Sequence, residues 1–383
     1  MLKKIFLSLF STRASGIYIL LFACSIGAAT FVENDFGTSS AQRLIFKSWW
    51  FEALLIVFGI SILVNIIQFQ MIRQRKWTTL LFHVAILVIL TGAGITRYFG
   101  YEGRMYIREG ESSNAIVSGN SFLKFKVKTP EGKSYSFDEP VLFASLGKNT
   151  FDRSYLIGNQ LIQIKLTGFV PNPAIVLQDD IEGQPTIKLV VTSGEGREEY
   201  YLQNGETKLI HEVKFNFSNQ FDPNAINMVY QDNHLMINSP DSLSQFQMLL
   251  KKTDMLAPGM FHPLLVRTLY SAPSIKFVIG DFKPKASTFV QSSSLKIKNE
   301  STVRVNLDID IHGKKGELFA QGIAGDLGEY QTTTVNNYEV SVSYGSKMIQ
   351  IPFAIKLRDF ILDRYPGTNS PASYASEVTL VDD

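Results

Sequence analysis

Three long uncharged runs in the first hundred residues constrain this chain more than any other feature. Ala14–Val32, Ala53–Ile72 and Trp77–Thr96 contain no Asp, Glu, Lys or Arg. At ~1.5 Å per helical residue each reaches about the 30 Å of a bilayer's hydrocarbon core. One such run could be a buried soluble helix. Three in succession predict a membrane protein with a transmembrane region over residues 1–97, its three N-terminal α-helices at about 14–32, 50–72 and 77–96.

Basic residues near the spans set the expected orientation. Lys3, Lys4 and Arg13 precede the first span, and Arg73, Arg75 and Lys76 separate the second from the third. The loop between the first two carries only Arg43 and Lys47, partly offset by Glu33 and Asp35. The N-terminus and the Arg73–Lys76 turn are therefore expected in the cytoplasm, and everything after the third span outside it. Trp49 and Trp50 at one membrane boundary and Trp77 at the other fit interfacial anchors.

Composition excludes several function classes. Lys+Arg total 37 against 35 Asp+Glu, a formal charge of +2, which lacks the basic excess of a nucleic-acid-binding protein. The single cysteine, Cys24, rules out an internal disulfide, a cysteine zinc cluster and a CxxC redox pair. Leu21-Phe-Ala-Cys24 loosely resembles a lipoprotein cleavage site, and Gly27-Ala-Ala29 could suit an ordinary signal peptidase. Phe22 fits the first pattern poorly and Arg13 lies past the usual charged leader, so the first span is expected to be retained.

Beyond residue 97 the texture changes to period-two alternation. Phe122–Lys128, Leu161–Leu166, Ile187–Val191, Val213–Phe217, Leu295–Lys298, Val303–Ile311 and Tyr338–Tyr344 all alternate. Pro130-Glu-Gly132, Gly194-Glu-Gly196, Asn204-Gly205 and His312–Gly316 supply turns. Residues 98–383 thus read as a large, mainly antiparallel all-β extracytoplasmic domain. One stretch dissents: Leu243, Phe246, Leu249 and Leu250 have helical spacing within Ser242–Tyr270, predicting a short helical insertion.

The ionisable side chain within the spans is His83. Left unpaired in hydrocarbon an imidazole costs several kcal/mol, so it needs a hydrogen-bond partner or a metal. It could be an iron or other metal ligand through a neutral nitrogen, or a packing residue bonded to a neighbouring helix. Asn65, Gln68 and Gln70 could face it or mark the membrane interface. Gly92 and Gly94 permit close helix approach. His211, His234, His262 and His312 stand singly, with no metal-ligand spacing. No serine lies in a nucleophile elbow, and Asp179-Asp180, Glu198-Glu199 and Asp382-Asp383 read as solvated turns or strand edges.

Together these features have a family likeness. The motifs are Ile26-Gly27 to Glu33, Lys47-Ser-Trp-Trp-Phe-Glu52, Leu81-Phe82-His83, Gly92-Ala-Gly-Ile-Thr-Arg97, Gly100-Tyr-Glu-Gly103 and Ile107-Arg-Glu-Gly-Glu111. Near the far end stand Leu357-Arg-Asp-Phe360 and Arg364-Tyr-Pro-Gly367 to Tyr374. The layout resembles the ResB-like (CcsB) component of the System II cytochrome c biogenesis machinery, the N-terminal part of a fused CcsBA-type protein. The middle, roughly 115–320, carries no motif of that family.

The resemblance implies that His83 is one of two axial ligands of a transmembrane haem b carried as substrate, with the second histidine outside this chain. It implies haem transport across the cytoplasmic (inner) membrane and support of covalent attachment to apocytochrome c. The partners would be a CcsA/CcsC-type membrane protein and a thiol-reducing pathway. The family layout has a further span after the external domain and a tryptophan-rich haem motif in the partner, neither of which occurs here. The expectation is a fragment of a longer protein, ahead of a subunit incomplete without its partner, and in either case not catalytic alone. The rival reading from another class is a membrane-anchored β-rich scaffold in which His83 merely packs.

Overall fold

The computed structural model describes residues 9–158, 160–193, 196–247 and 250–382. Helices run over Thr12–Phe36, Trp49–Gln68 and Trp77–Phe99, each long and apolar enough to cross a membrane. Ser11 and Ser48 cap the first two, their hydroxyls accepting from the backbone N–H of Ala14 and Phe51. The second helix stops at Gln68, short of residue 72, because Gln70 takes φ +44° and breaks the helical ladder.

The second span is the middle of the bundle. Its Phe51 packs with Ala29 of the first span and with Ala41 and Ile45 of the connection. Its Phe58, Ile62 and Ile66 pack against Tyr18 and against Leu80, Leu87 and Leu90 of the third. No residue of the third span is fully buried.

Beyond the spans the chain divides between two compact units, Met1–Pro173 with Ser292–Asp383, and Ala174–Gln291. In the first, two four-stranded sheets share a core. One has the order Gln331–Val335, Tyr338–Gly345, Ser121–Lys128, Ser134–Val141; the other runs Lys314–Ile323, Thr302–Ile311, Gln160–Pro171, Asp152–Ile157. Strand Thr302–Ile311 shows the cause. Val303, Val305, Leu307, Ile309 and Ile311 all point inward, while Asp308 is exposed on the other side. A third sheet starts directly after the third span: Gly103–Arg104 pairs with Ser112–Ser118, which pairs with Met348–Arg364, which pairs with Pro371–Val381.

This unit also joins the β strands to the membrane helices. Gly37, at φ +92°, closes the first span so tightly on Ile297 that a Cβ would lie 2.0 Å from the Ile297 carbonyl oxygen. The Ile297 N–H donates to the Phe36 carbonyl at 3.2 Å. Arg43 donates to the carbonyls of Leu142 and Lys148.

The second unit holds a five-stranded and a six-stranded sheet around Ile187, Leu189, Phe215, Met228, Tyr270 and Phe277. One pair in it is parallel, Val213–Phe217 with Ile226–Gln231.

The fold class is the expected one: three apolar helices, then a large mainly antiparallel β region, with a short helical insertion. The short helical piece is not where it was expected: Thr38–Ala41, running into π-helical Gln42–Phe46, lies between the first two spans. Within Ser242–Tyr270 the chain forms strands instead, Leu243–Gln247 paired with Lys252–Leu256. Leu243 and Gln245 are the inward pair there, so the true period is two. Leu249 lies outside the described residues. Leu295–Lys298 is also no strand: its backbone is engaged by Phe36 and by the Asn172 amide, which donates to Ser294 and Lys296 at 2.9 Å each.

Candidate functional site

His83 lies about 9 Å along the third helix from Trp77, half-buried, with its ring edge-on to Phe82 at 5.9 Å. Its Nδ1 stands 2.8 Å from the Thr79 carbonyl oxygen one turn back. A carbonyl can only accept, so Nδ1 is the donor, and in a neutral imidazole Nε2 then keeps its lone pair. Such a bond fixes the neutral tautomer and ring orientation that a metal ligand needs. Here the helix supplies that acceptor from its own backbone.

Of the polar residues that could face His83 or mark the interface, Asn65 turns to the first span. Asn65 is buried against the first span: Thr12 donates to its Oδ1 at 3.1 Å, and its Nδ2 donates to the Ser15 hydroxyl at 3.0 Å. Ser15 and Ser61 hydroxyls, 2.6 Å apart, complete this polar knot. Gln68 and Gln70 are exposed.

Two contacts fix the register of the antiparallel second and third spans. Glu52 and Arg97 pair at 3.2 Å, and a Cβ on Gly59 would touch Leu90 at 3.6 Å. Carried seven residues further along each helix, that register sets His83 level with Ile66. On the third helix His83, Leu87, Leu90, Gly94 and Arg97 form one stripe. Its upper part lines a half-open cavity of about 880 Å³, whose other wall carries Leu55, Gly59 and Leu63. Leu87, one turn from His83, is the cavity's nearest wall residue on that helix. At the far end the mouth carries Lys47, Glu52, Arg97, Glu102 and Asn120. Arg97 donates there to the Phe46 carbonyl at 2.5 Å as well as to Glu52.

Sequence reasoning singled out His83 but missed the cavity and the Glu52–Arg97 pair. Both residues flank uncharged runs, and an acidic and a basic flank at the same boundary were the available signal.

The remaining histidines stay apart. His211 contacts Glu198 at 3.0 Å, while His234 and His262 bond the carbonyls of Asp232 and Ala257. His312 sits in a turn at φ +54°. Among the described residues no cluster of three His, Cys, Asp or Glu could hold a metal. The carboxylates read as strand-edge groups are ion-paired: Asp179 with Lys283 at 3.0 Å, Glu199 with Lys188 at 2.7 Å. Burial pushes the Glu199 carboxyl up, but the hydrogen bond and charge of Lys188 outweigh it and hold the group below its ordinary range.

The stretch that contains His83, the third span and Arg97 is also the one recognised by comparison. Residues 72–146 match the ResB-like family. The likeness extends further in one relative: over 367 residues, 96% of this chain, the sequence is 26% identical to Protein NrfI of Wolinella succinogenes. The chain spans about a quarter (26%) of that protein's length. The ResB-like match thus runs from the turn before the third span, through His83 and Arg97, into the first strands of the β region.

Proposed function

We propose that this chain acts in cytochrome c biogenesis and holds haem within the membrane through His83. The carrying observation is the Nδ1–Thr79 bond at 2.8 Å, which engages Nδ1 and leaves Nε2 as the nitrogen open to an iron on a span. Among the described residues Nε2 has no protein partner, a costly state in hydrocarbon unless something else binds there. Haem, here the cargo, offers an iron for that lone pair. The second axial histidine would come from a CcsA-type partner packed beside the third span, whose Leu81, Phe82 and Val88 are all exposed. The Lys/Arg asymmetry of the loops supports a cytoplasmic N-terminus and a periplasmic β region. That region would then face apocytochrome c, to which the partner directs the haem.

The test is the absorption spectrum of the full chain, purified in detergent after coexpression with a CcsA-type partner. Wild type should show low-spin haem. His83→Ala should lose it and regain it when imidazole is supplied. Equal haem in both proteins would refute ligation and leave a membrane-anchored scaffold.

A further inference from the structure

We propose that the cavity between the second and third spans is a second holding site for a planar tetrapyrrole dicarboxylate, beyond His83, in which Arg97 takes a ligand carboxylate and Glu52 competes to release it. This rests on the reading of His83 as a haem ligand.

Distance is the first argument. His83 and Arg97 lie on one stripe, fourteen residues or about 21 Å apart along the helix, far beyond the reach of a porphyrin side chain from an iron bound at His83. One ligand cannot occupy both ends, so the stripe has room for two successive positions. The second argument is shape. The volume, about 880 Å³, is of the size that takes a cofactor. Gly94 faces it without a side chain, and nothing lies within 4 Å of a Cβ built there. Leu90 fills the space before Gly59, so the open room lies beside Gly94, between apolar walls that suit a planar ring.

The third argument is the chemistry of the mouth. Arg97 spends two donors of its fork, one on the Phe46 carbonyl and one on Glu52 at 3.2 Å. Its contact with Glu52 is made to one carboxylate oxygen, whereas a guanidinium can grip a carboxylate through two parallel bonds. The pair is partly exposed, 27% and 31%, so exchange is not blocked by burial. Lys47, at the same mouth, forms no ion pair among the described residues and can take a second carboxylate; Glu102 opposes it. A ligand carboxylate that displaces Glu52 is held, and Glu52 regaining Arg97 expels it. The site therefore carries its own release group.

The test uses the full chain bearing His83→Ala, in nanodiscs of zwitterionic phospholipid, titrated with metal-free protoporphyrin IX. Neither iron nor the histidine is then present, so binding reports the cavity alone. The expected result is saturable binding that weakens about tenfold with the porphyrin dimethyl ester or with Arg97→Gln, and recovers in part with Arg97→Lys. Glu52→Gln should bind more tightly and release severalfold more slowly, a change that a merely structural ion pair would not produce. Gly94→Phe should abolish binding, yet in the chain that retains His83 it should leave the haem spectrum intact. Equal signal in all variants means simple partition into the bilayer and overturns the proposal. So does displacement of the porphyrin by added phosphatidylglycerol in an Arg97-dependent manner, which would make the cavity a lipid site. Failure of the His83→Ala spectrum test alone would instead remove the haem reading while leaving these titrations to be judged separately.

Discussion

Replacing Gly37 by alanine tests whether the first span and the β strands form one structural unit. Gly37 has φ +92° and ψ 165°, a region that L side chains avoid at a cost of about 1–3 kcal/mol. The added Cβ would also lie 2.0 Å from the Ile297 carbonyl oxygen and 2.9 Å from its carbon. Both are backbone atoms, so the Ile297 segment must move. Its N–H then loses the Phe36 carbonyl, a further loss of about 0.5–1.5 kcal/mol. Together these give about 2–4 kcal/mol, which at roughly 2–4 °C per kcal/mol lowers the melting temperature by about 5–15 °C. The assay is thermal unfolding of the detergent-purified chain followed by tryptophan fluorescence. Gly27→Ala is the control, since Gly27 is in the interior of the same helix with nothing within 4 Å of its Cβ. That variant should melt at or slightly above wild type, because alanine is the better helix former. If Gly37→Ala melts with Gly27→Ala, the reasoning fails and the contact with Ile297 does not link the two regions.

Two other expectations follow from the same structure. Asn65→Leu removes two side-chain bonds between the first and second spans, each worth about 0.6 kcal/mol in a membrane; stability should fall by about 1 kcal/mol while the haem spectrum stays unchanged, and a lost spectrum would mean that Asn65 serves His83 after all. Glu199 has its folded pKa lowered, so its pairing with Lys188 contributes above the unfolded value, near 4.5, and is lost as pH falls through the folded value. A melting curve series should therefore show Glu199→Gln slightly less stable than wild type at neutral pH and equal to it in acid; a gap that persists at low pH would refute the electrostatic origin.

The spans and most strands were legible because their signals are local. An uncharged run or an alternation needs no knowledge of its partner. Leu243–Gln247 misled because a polar residue, Gln245, occupies an inward position. It is tolerated there by a 3.0 Å bond to the Tyr270 hydroxyl, and that bond depends on tertiary structure. Leu295–Lys298 alternates like a strand, yet its backbone is claimed by a helix end and an asparagine side chain. At the site, His83 stood out as an ionisable group in a span. The cavity did not, since it exists only in the register that sets Glu52 opposite Arg97. Asn65 was legible as a polar span residue, but which neighbouring helix it bonds is settled only by packing.

The interrupted path of the chain also bears on when each part can be finished during synthesis. The unit Ala174–Gln291 is continuous, whereas the unit around it waits for Ser292–Asp383. At ~5–20 residues per second, translation of the intervening segment takes very roughly 6–24 s. During that interval Gly37 has no Ile297 to meet, and Ser112–Ser118 has no Met348–Arg364 to pair with. The inserted unit can therefore complete its own core while its host still lacks two of the four strands in each of its three sheets. The order of assembly is thereby the reverse of the order of emergence: what begins first, at the membrane, closes last.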